Sequence, residues 1–233
     1  MAGVPPGPDA SDDVDGMTAP DAPDAAEDAG ACTPVVRTHP TSVADAPIGS
    51  TAPDQPRGID SSICNMAVSA CVLRFDLDAD EQAAFKEGRV RGLTLTLRRA
   101  DQHQECGNDC SATSYRKPGT LGVQALSSDW VEGAVTWNTR DGTTPWAMPG
   151  ALGAGDVGAV AGSLVLPAST VIASVDLDPK AWSAGLLTGG SIAFRTTFLD
   201  GTTPTAFVAV LRETTLGAVV PATPPTLVVR YCP

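Results

Sequence analysis

Residues 90–99, VRGLTLTLRR, alternate strictly. Leu93, Leu95 and Leu97 fall on one side of an extended chain, and Thr94, Thr96 and Arg98 on the other. Successive side chains of a strand point to opposite faces, so this is a strand with one buried face. The same period recurs in ACVLRFDL (70–77), which sets Leu73, Phe75 and Leu77 against Val72, Arg74 and Asp76. LGVQALSS (121–128), AVTWN (134–138), VIASVDLD (171–178), SIAFRTTF (191–198), AFVAVLRE (206–213) and PTLVVRY (225–231) follow. Gly, Pro, Asp and Thr punctuate the runs, as turns require. This many short strands without long helical periodicity predict an all-β fold, a jelly-roll β-sandwich of two antiparallel sheets.

One or two short helical turns interrupt the strands. DADEQAAFKEG (78–88) opens on cap-forming Asp residues and stops at Gly88. DPKAWSAG (178–185) offers Asp178 as a cap, Pro179 at the first helical position and Gly185 as the stop. Trp182 is expected to pack this turn against a sheet edge. Two stretches read as long loops: 100–120, which is polar, and 139–163, which is rich in Gly and Pro.

Cysteines constrain the fold from the outside. There are six, at 32, 64, 71, 106, 110 and 232. Cys64 and Cys71 lie close, as do Cys106 and Cys110, while Cys32 opens the strand-bearing part and Cys232 nearly closes it. The expected pairing is Cys32–Cys232, Cys64–Cys71 and Cys106–Cys110, which requires the first and last strands to be neighbours. Such bonds belong to an oxidising compartment. No apolar leader follows Met1, so a secretion signal is expected to have been removed or to lie outside this chain.

The formal charge is −12, and it is unevenly placed. Residues 1–31 hold seven Asp and Glu27 with no Lys or Arg, which is −8; the remaining residues carry 19 acids and 15 bases, or −4. A segment of Ala, Pro, Asp and Gly cannot bury enough surface to offset its ordering entropy, so 1–31 reads as a disordered acidic linker before one domain at 32–233. Nothing basic enough for nucleic acid is present. No run approaches the roughly 18 apolar residues of a membrane span. A monomer is expected.

Catalytic signals are weak. The chain has only His39 and His103, neither beside a G-x-S-x-G turn, and both read as surface histidines. Asp129 and Glu132 are a candidate carboxylate pair, but acids beside a sheet are commonplace. HQECGNDC places His103, Cys106 and Cys110 together, yet the C-x3-C spacing departs from that of zinc ribbons. Asp76, Asp78 and Asp80 with Glu87 imitate a calcium loop, but Glu81 stands where such a loop needs glycine. No cofactor is therefore expected, and whether a metal is bound stays unknown, with a structural calcium left open.

DWVEGAVTWNTR (129–140) spends two of four tryptophans, Trp130 and Trp137, within seven residues. It reads as a structural corner: Trp130 and Trp137 packed, Glu132 tying the loop, Thr136 and Asn138 bonding backbone. A ligand-stacking platform is the competing reading.

VLRFDLDA, LTLTLRRA, VQALSSDWVEGAVTWNTR, IASVDLDPKAWSAG and TLVVRY together resemble the DNRLRE-type domain, which is similar to carbohydrate-binding modules of family 96 and to disaggregatase-related domains. Arg74, Phe75, Asp76, Trp130, Glu132, Thr136, Trp137, Asn138, Asp176 and Trp182 match the family pattern over residues 33–233. The chain departs from it at Leu177-Asp178 and in its cysteine-bearing insertion. The acidic leader resembles the spacers of bacterial surface lipoproteins. The resemblance implies a β-sandwich on a secreted or cell-surface protein, commonly an appended non-catalytic module.

Three functions follow as expectations. The first is a non-catalytic module binding polysaccharide or another extracellular glycan. Trp146 and Tyr115 are its candidate ligand-binding residues, because strand packing explains them least. The second is a structural or adhesive surface domain without a small ligand. The third, less favoured, is a polysaccharide-degrading enzyme.

Overall fold

A computed structural model describes residues 32–58, 63–65, 69–99, 118–183, 185–199, 208–210 and 224–233. The leader 1–31, Tyr115, His103 and the Cys106–Cys110 pair lie outside these residues. The strands are β1 (Val35–His39), β2 (Ala44–Gly49), β3 (Ile63–Asn65), β4 (Ser69–Asp76), β5 (Val90–Arg98), β6 (Gly119–Leu126), β7 (Val157–Leu166), β8 (Ile172–Leu177), β9 (Ser191–Phe198), β10 (Val208–Val210) and β11 (Thr226–Tyr231). The order in one sheet is β1-β11-β5-β8 and in the other β2-β4-β9-β6-β7, and all pairs are antiparallel. β3 and β10 form a separate ribbon.

With β2 set aside as an extra edge strand, and the ribbon excluded, the topology is that of a jelly roll. The first sheet then runs first–eighth–third–sixth and the second runs second–seventh–fourth–fifth. The alternation of VRGLTLTLRR places Leu93, Leu95 and Leu97 in the core between the sheets, where each is fully buried. They meet Leu73 and Phe75 of β4, Leu121 and Val123 of β6, Ile192 and Phe194 of β9, and Leu227 and Val229 of β11. Phe75, Phe194 and Trp182 form an edge-to-face chain with centroid separations of 5.7 and 5.1 Å, the geometry that aromatic quadrupoles favour.

Local sequence signals fix the two helical turns. α1 (Ala79–Lys86) begins at Asp78, which accepts from the Glu81 N–H while Glu81 accepts from the Asp78 N–H, a reciprocal capping box. A 3-10 turn, Pro179–Trp182, is capped by Asp178, which accepts from the Lys180 N–H. Of the acids in the calcium-like spacing, Asp78 is engaged by the α1 cap, Asp76 by the Ser191 hydroxyl at 2.6 Å and Glu87 by Arg89 at 2.6 Å. His39 is not a free surface histidine: its Nε2 lies 2.8 Å from Oε1 of the buried Glu81.

Three sequence expectations change. AVTWN (134–138) forms turns instead of a strand: the N–H groups of Ala134 and Val135 return to the Val131 carbonyl, and the Thr136 N–H reaches the Thr139 carbonyl. The Gly/Pro segment 139–163 contains the start of β7. Gly162 is needed there because a Cβ would sit 2.4 Å from the Asp176 carbonyl oxygen. β2, ADAPIG, carries little bulk and was not marked by alternation.

Candidate functional site

Both faces of the five-stranded sheet are apolar. β4 turns Cys71, Leu73 and Phe75 to the central core and Ala70 and Val72 to the opposite side, where Ala44, Ala46, Ile48 and Ala193 join them. Residues 127–156 fold over this outer face and make a second core with Trp130, Val135, Trp146 and Ala151. Small alanines on the sheet leave room for large indoles in the covering segment, and the exchange of volume keeps the layer close-packed.

The corner motif holds this cover in place. Arg74 places its guanidinium carbon 5.6 Å from the Trp130 ring centroid and donates to the Trp130 carbonyl at 3.4 Å. Glu132 accepts the Asp45 N–H at 2.7 Å, linking the cover to β2. The Thr136 hydroxyl accepts from the N–H groups of Asn138 and Thr139 at 3.1 and 2.9 Å, a side-chain-closed turn. Asn138 donates to Asp54 at 2.8 Å. Asp156, buried, accepts from the Ser128 hydroxyl at 3.0 Å and the Ala147 N–H at 2.6 Å. Arg195 is a buried cation beneath the cover. It donates to the Gly150 carbonyl at 2.8 Å and to Gln124 at 3.0 Å. Burial pulls its guanidinium down to about 10, so it still carries its charge at neutral pH.

Trp146 belongs to this second core. It is 4% exposed and its indole N–H donates to the Thr136 carbonyl at 3.0 Å. The expectation of a surface stacking ring at Trp146 is corrected by that packing: apolar neighbours and a satisfied N–H hold the ring inside. Tyr115, its proposed companion, lies outside the described residues. Trp137 is half-buried and rests on Gly150, whose φ is +81°. Trp182 is buried and donates to the Ala193 carbonyl at 3.1 Å.

Glycine makes one approach of the cover possible. A Cβ on Gly58 would stand 1.7 Å from the Glu132 carbonyl oxygen. Gly58→Ala is therefore expected to lower the unfolding free energy by about 1–3 kcal/mol, the usual range for overpacking. Gly92→Ala is the control: its nearest neighbour outside the adjoining residues is 3.9 Å away, and its effect should stay within about 0.5 kcal/mol. Urea unfolding midpoints compare the two, and equal midpoints would refute the close approach.

The open concavities lie elsewhere. A polar cleft of about 370 Å³ is lined by Ser127, Ser128, Asp129, Trp130, Arg140 and Asp141. Hydrogen bonds from Thr144 and then Thr143 hold the Asp141 carboxyl well below the usual carboxylate range. Two further clefts, of about 400 and 380 Å³, are lined by residues of both α1 and the 3-10 turn. Sequence reasoning missed all three: the latter two join segments almost a hundred residues apart, and the polar one exists only because 140–141 fold back on 127–131, where the Val131 N–H reaches the Arg140 carbonyl at 2.9 Å. Among the described residues no three His, Cys, Asp or Glu side chains gather as a metal site would require. No helix among them is long and apolar enough to cross a membrane. Compared with known proteins, the chain matches no family model and no curated relative.

Proposed function

We propose that the chain is a non-catalytic module of a secreted or cell-surface protein, and that it serves as a structural or adhesive domain without a small ligand. The observation that carries this reading is the use of its tryptophans. Trp130, Trp146 and Trp182 are buried, Trp137 is half-buried with its ring against Gly150, and the indole N–H groups of Trp146 and Trp182 are spent on backbone carbonyls. A sugar-stacking platform needs an open ring face. The disulfides suit an oxidising compartment.

A second reading, binding of polysaccharide or another extracellular glycan, is favoured by one observation: the cleft around Asp129, Arg140 and Asp141 presents hydrogen-bonding groups to solvent. Affinity electrophoresis through gels containing neutral and acidic polysaccharides separates the readings. The expected result is unretarded migration, with tryptophan emission weakly quenched by acrylamide. Retardation abolished by Asp129→Ala or Arg140→Ala, with unchanged melting, would replace the first reading with the second. Release of reducing ends from any of these polysaccharides would establish the enzyme reading instead.

A further inference from the structure

A domain that works by contact needs a contact surface, and the groove beside α1 has the composition of one. Its two clefts share Phe85, Trp182 and Ser183 as a common wall. Leu186 and Leu187 line the first, and Val90 and Pro179 line the second. Above this apolar floor stand three exposed cations, Lys86 on the first cleft and Arg91 and Lys180 on the second. Asp178 is the acid in the lining, and one of its oxygens already caps the 3-10 turn. Nearby Glu87 is engaged by Arg89 at 2.6 Å, and Glu81 is buried against His39. Three cations against one acid make a local excess of +2 in a chain whose formal charge is −12.

We propose that this groove docks an extended acidic segment of a partner protein, with apolar side chains in the two clefts and carboxylates on Lys86, Arg91 and Lys180. The inference rests on the contact-module reading above. Charge complementarity selects an acidic occupant. The floor favours a peptide over a sugar. It is built from Leu, Val and Pro side chains with the partly buried Phe85, and its larger ring, Trp182, is 5% exposed with its N–H bonded inward, so the indole offers no open face to a pyranose.

The test pans a random twelve-residue peptide library displayed on phage against the full chain. Selected peptides are synthesised and titrated by fluorescence anisotropy. The expected sequences combine several Asp or Glu with Leu, Ile or Phe, and bind about tenfold or more weakly to Lys86→Glu/Lys180→Glu, a loss of the size that two reversed surface charges supply. Lys86→Gln/Lys180→Gln should give an intermediate loss, and 0.5 M salt should weaken the wild-type complex through screening. Both variants alter exposed side chains, so unchanged melting is expected and is measured alongside. Failure to select any peptide, selection of peptides without acids, or binding indifferent to the charge reversal would overturn the docking inference. In those cases the contact-module reading stands so long as polysaccharides pass unretarded. Retardation by an acidic polysaccharide, lost in Lys86→Glu/Lys180→Glu, would overturn both.

Discussion

Trp146→Ala should lower the stability of the domain by about 3–5 kcal/mol, the range for deleting a large buried aromatic. Three losses add. The indole leaves a cavity in the second core, to which β2, β4 and β9 contribute short alanines that cannot collapse into the space. The Thr136 carbonyl loses its donor, a cost of about 1–3 kcal/mol for an orphaned buried group and partly counted already in the first figure. The cover then sits less tightly on Arg195, whose charge relies on the Gly150 carbonyl for one of its bonds. For a domain of this size the fall in melting temperature is about 6–20 °C. Trp137→Ala should cost less, because Trp137 is only half-buried. Circular dichroism melts of the two variants test the ranking. A Trp146→Ala protein that melts like wild type but no longer migrates slowly through a polysaccharide gel that retards the wild type would make the ring a ligand platform and refute its structural assignment.

The parts of this architecture that sequence reveals are those whose signal is local. Leu93, Leu95 and Leu97 alternate with Thr94 and Thr96, so β5 and its buried face are visible in ten letters. The caps at Asp78 and Asp178 are likewise readable, since each bonds a backbone group within three residues. The second core is different. It had a faint signature: ACVLRF and SIAFR carry apolar residues on both sides of the strand, which implies cover on both faces. Nothing local says that the cover is a Gly- and Pro-rich loop from 127–156. Trp146 therefore reads as an unexplained surface aromatic, although it is an anchor. β7 was hidden for a related reason. Gly158 and Gly162 resemble loop residues, whereas Gly162 serves a close approach of β7 to the Asp176 carbonyl. The groove beside α1 was illegible because its wall takes Phe85 from one element and Trp182 from another almost a hundred residues away.

Replacing Cys32 and Cys232 with serine should destabilise the domain more than replacing Cys64 and Cys71. The two bonds close loops of very different length, with sequence separations of 200 and 7. The chain-entropy model converts these to about 5 kcal/mol and about 2.5 kcal/mol respectively. The terminal pair is also placed where its loss propagates. Its Cα atoms are 5.8 Å apart, within the roughly 7 Å that bridging demands, because β1 and β11 pair from Val35–Tyr231 to His39–Leu227. β1 is an edge strand with β11 as its one strand partner, and it is tied to α1 and its cap by His39–Glu81 at 2.8 Å and Arg37–Asp78 at 3.5 Å. Its outward side chains are largely exposed, so burial contributes little to keeping it in place. Around the bond, the Cys232 N–H donates to the Arg89 carbonyl at 3.0 Å, the Arg89 side chain donates to the Cys232 carbonyl, and Arg91 Nε donates to the Cys232 sulfur at 3.3 Å. The two Arg89 contacts anchor Cys232 to the residue before β5 whether or not the disulfide is present, whereas Cys32 relies on the bond. The expected first event after the double substitution is therefore fraying of β1, read as loss of amide-exchange protection at Arg37 and His39, which face β11, before the strands of the central core. Non-reducing peptide mapping of the native chain should recover Cys32 linked to Cys232. Linkage of Cys32 to any other cysteine would break the adjacency of the first and last strands, and with it the strand order of the jelly roll.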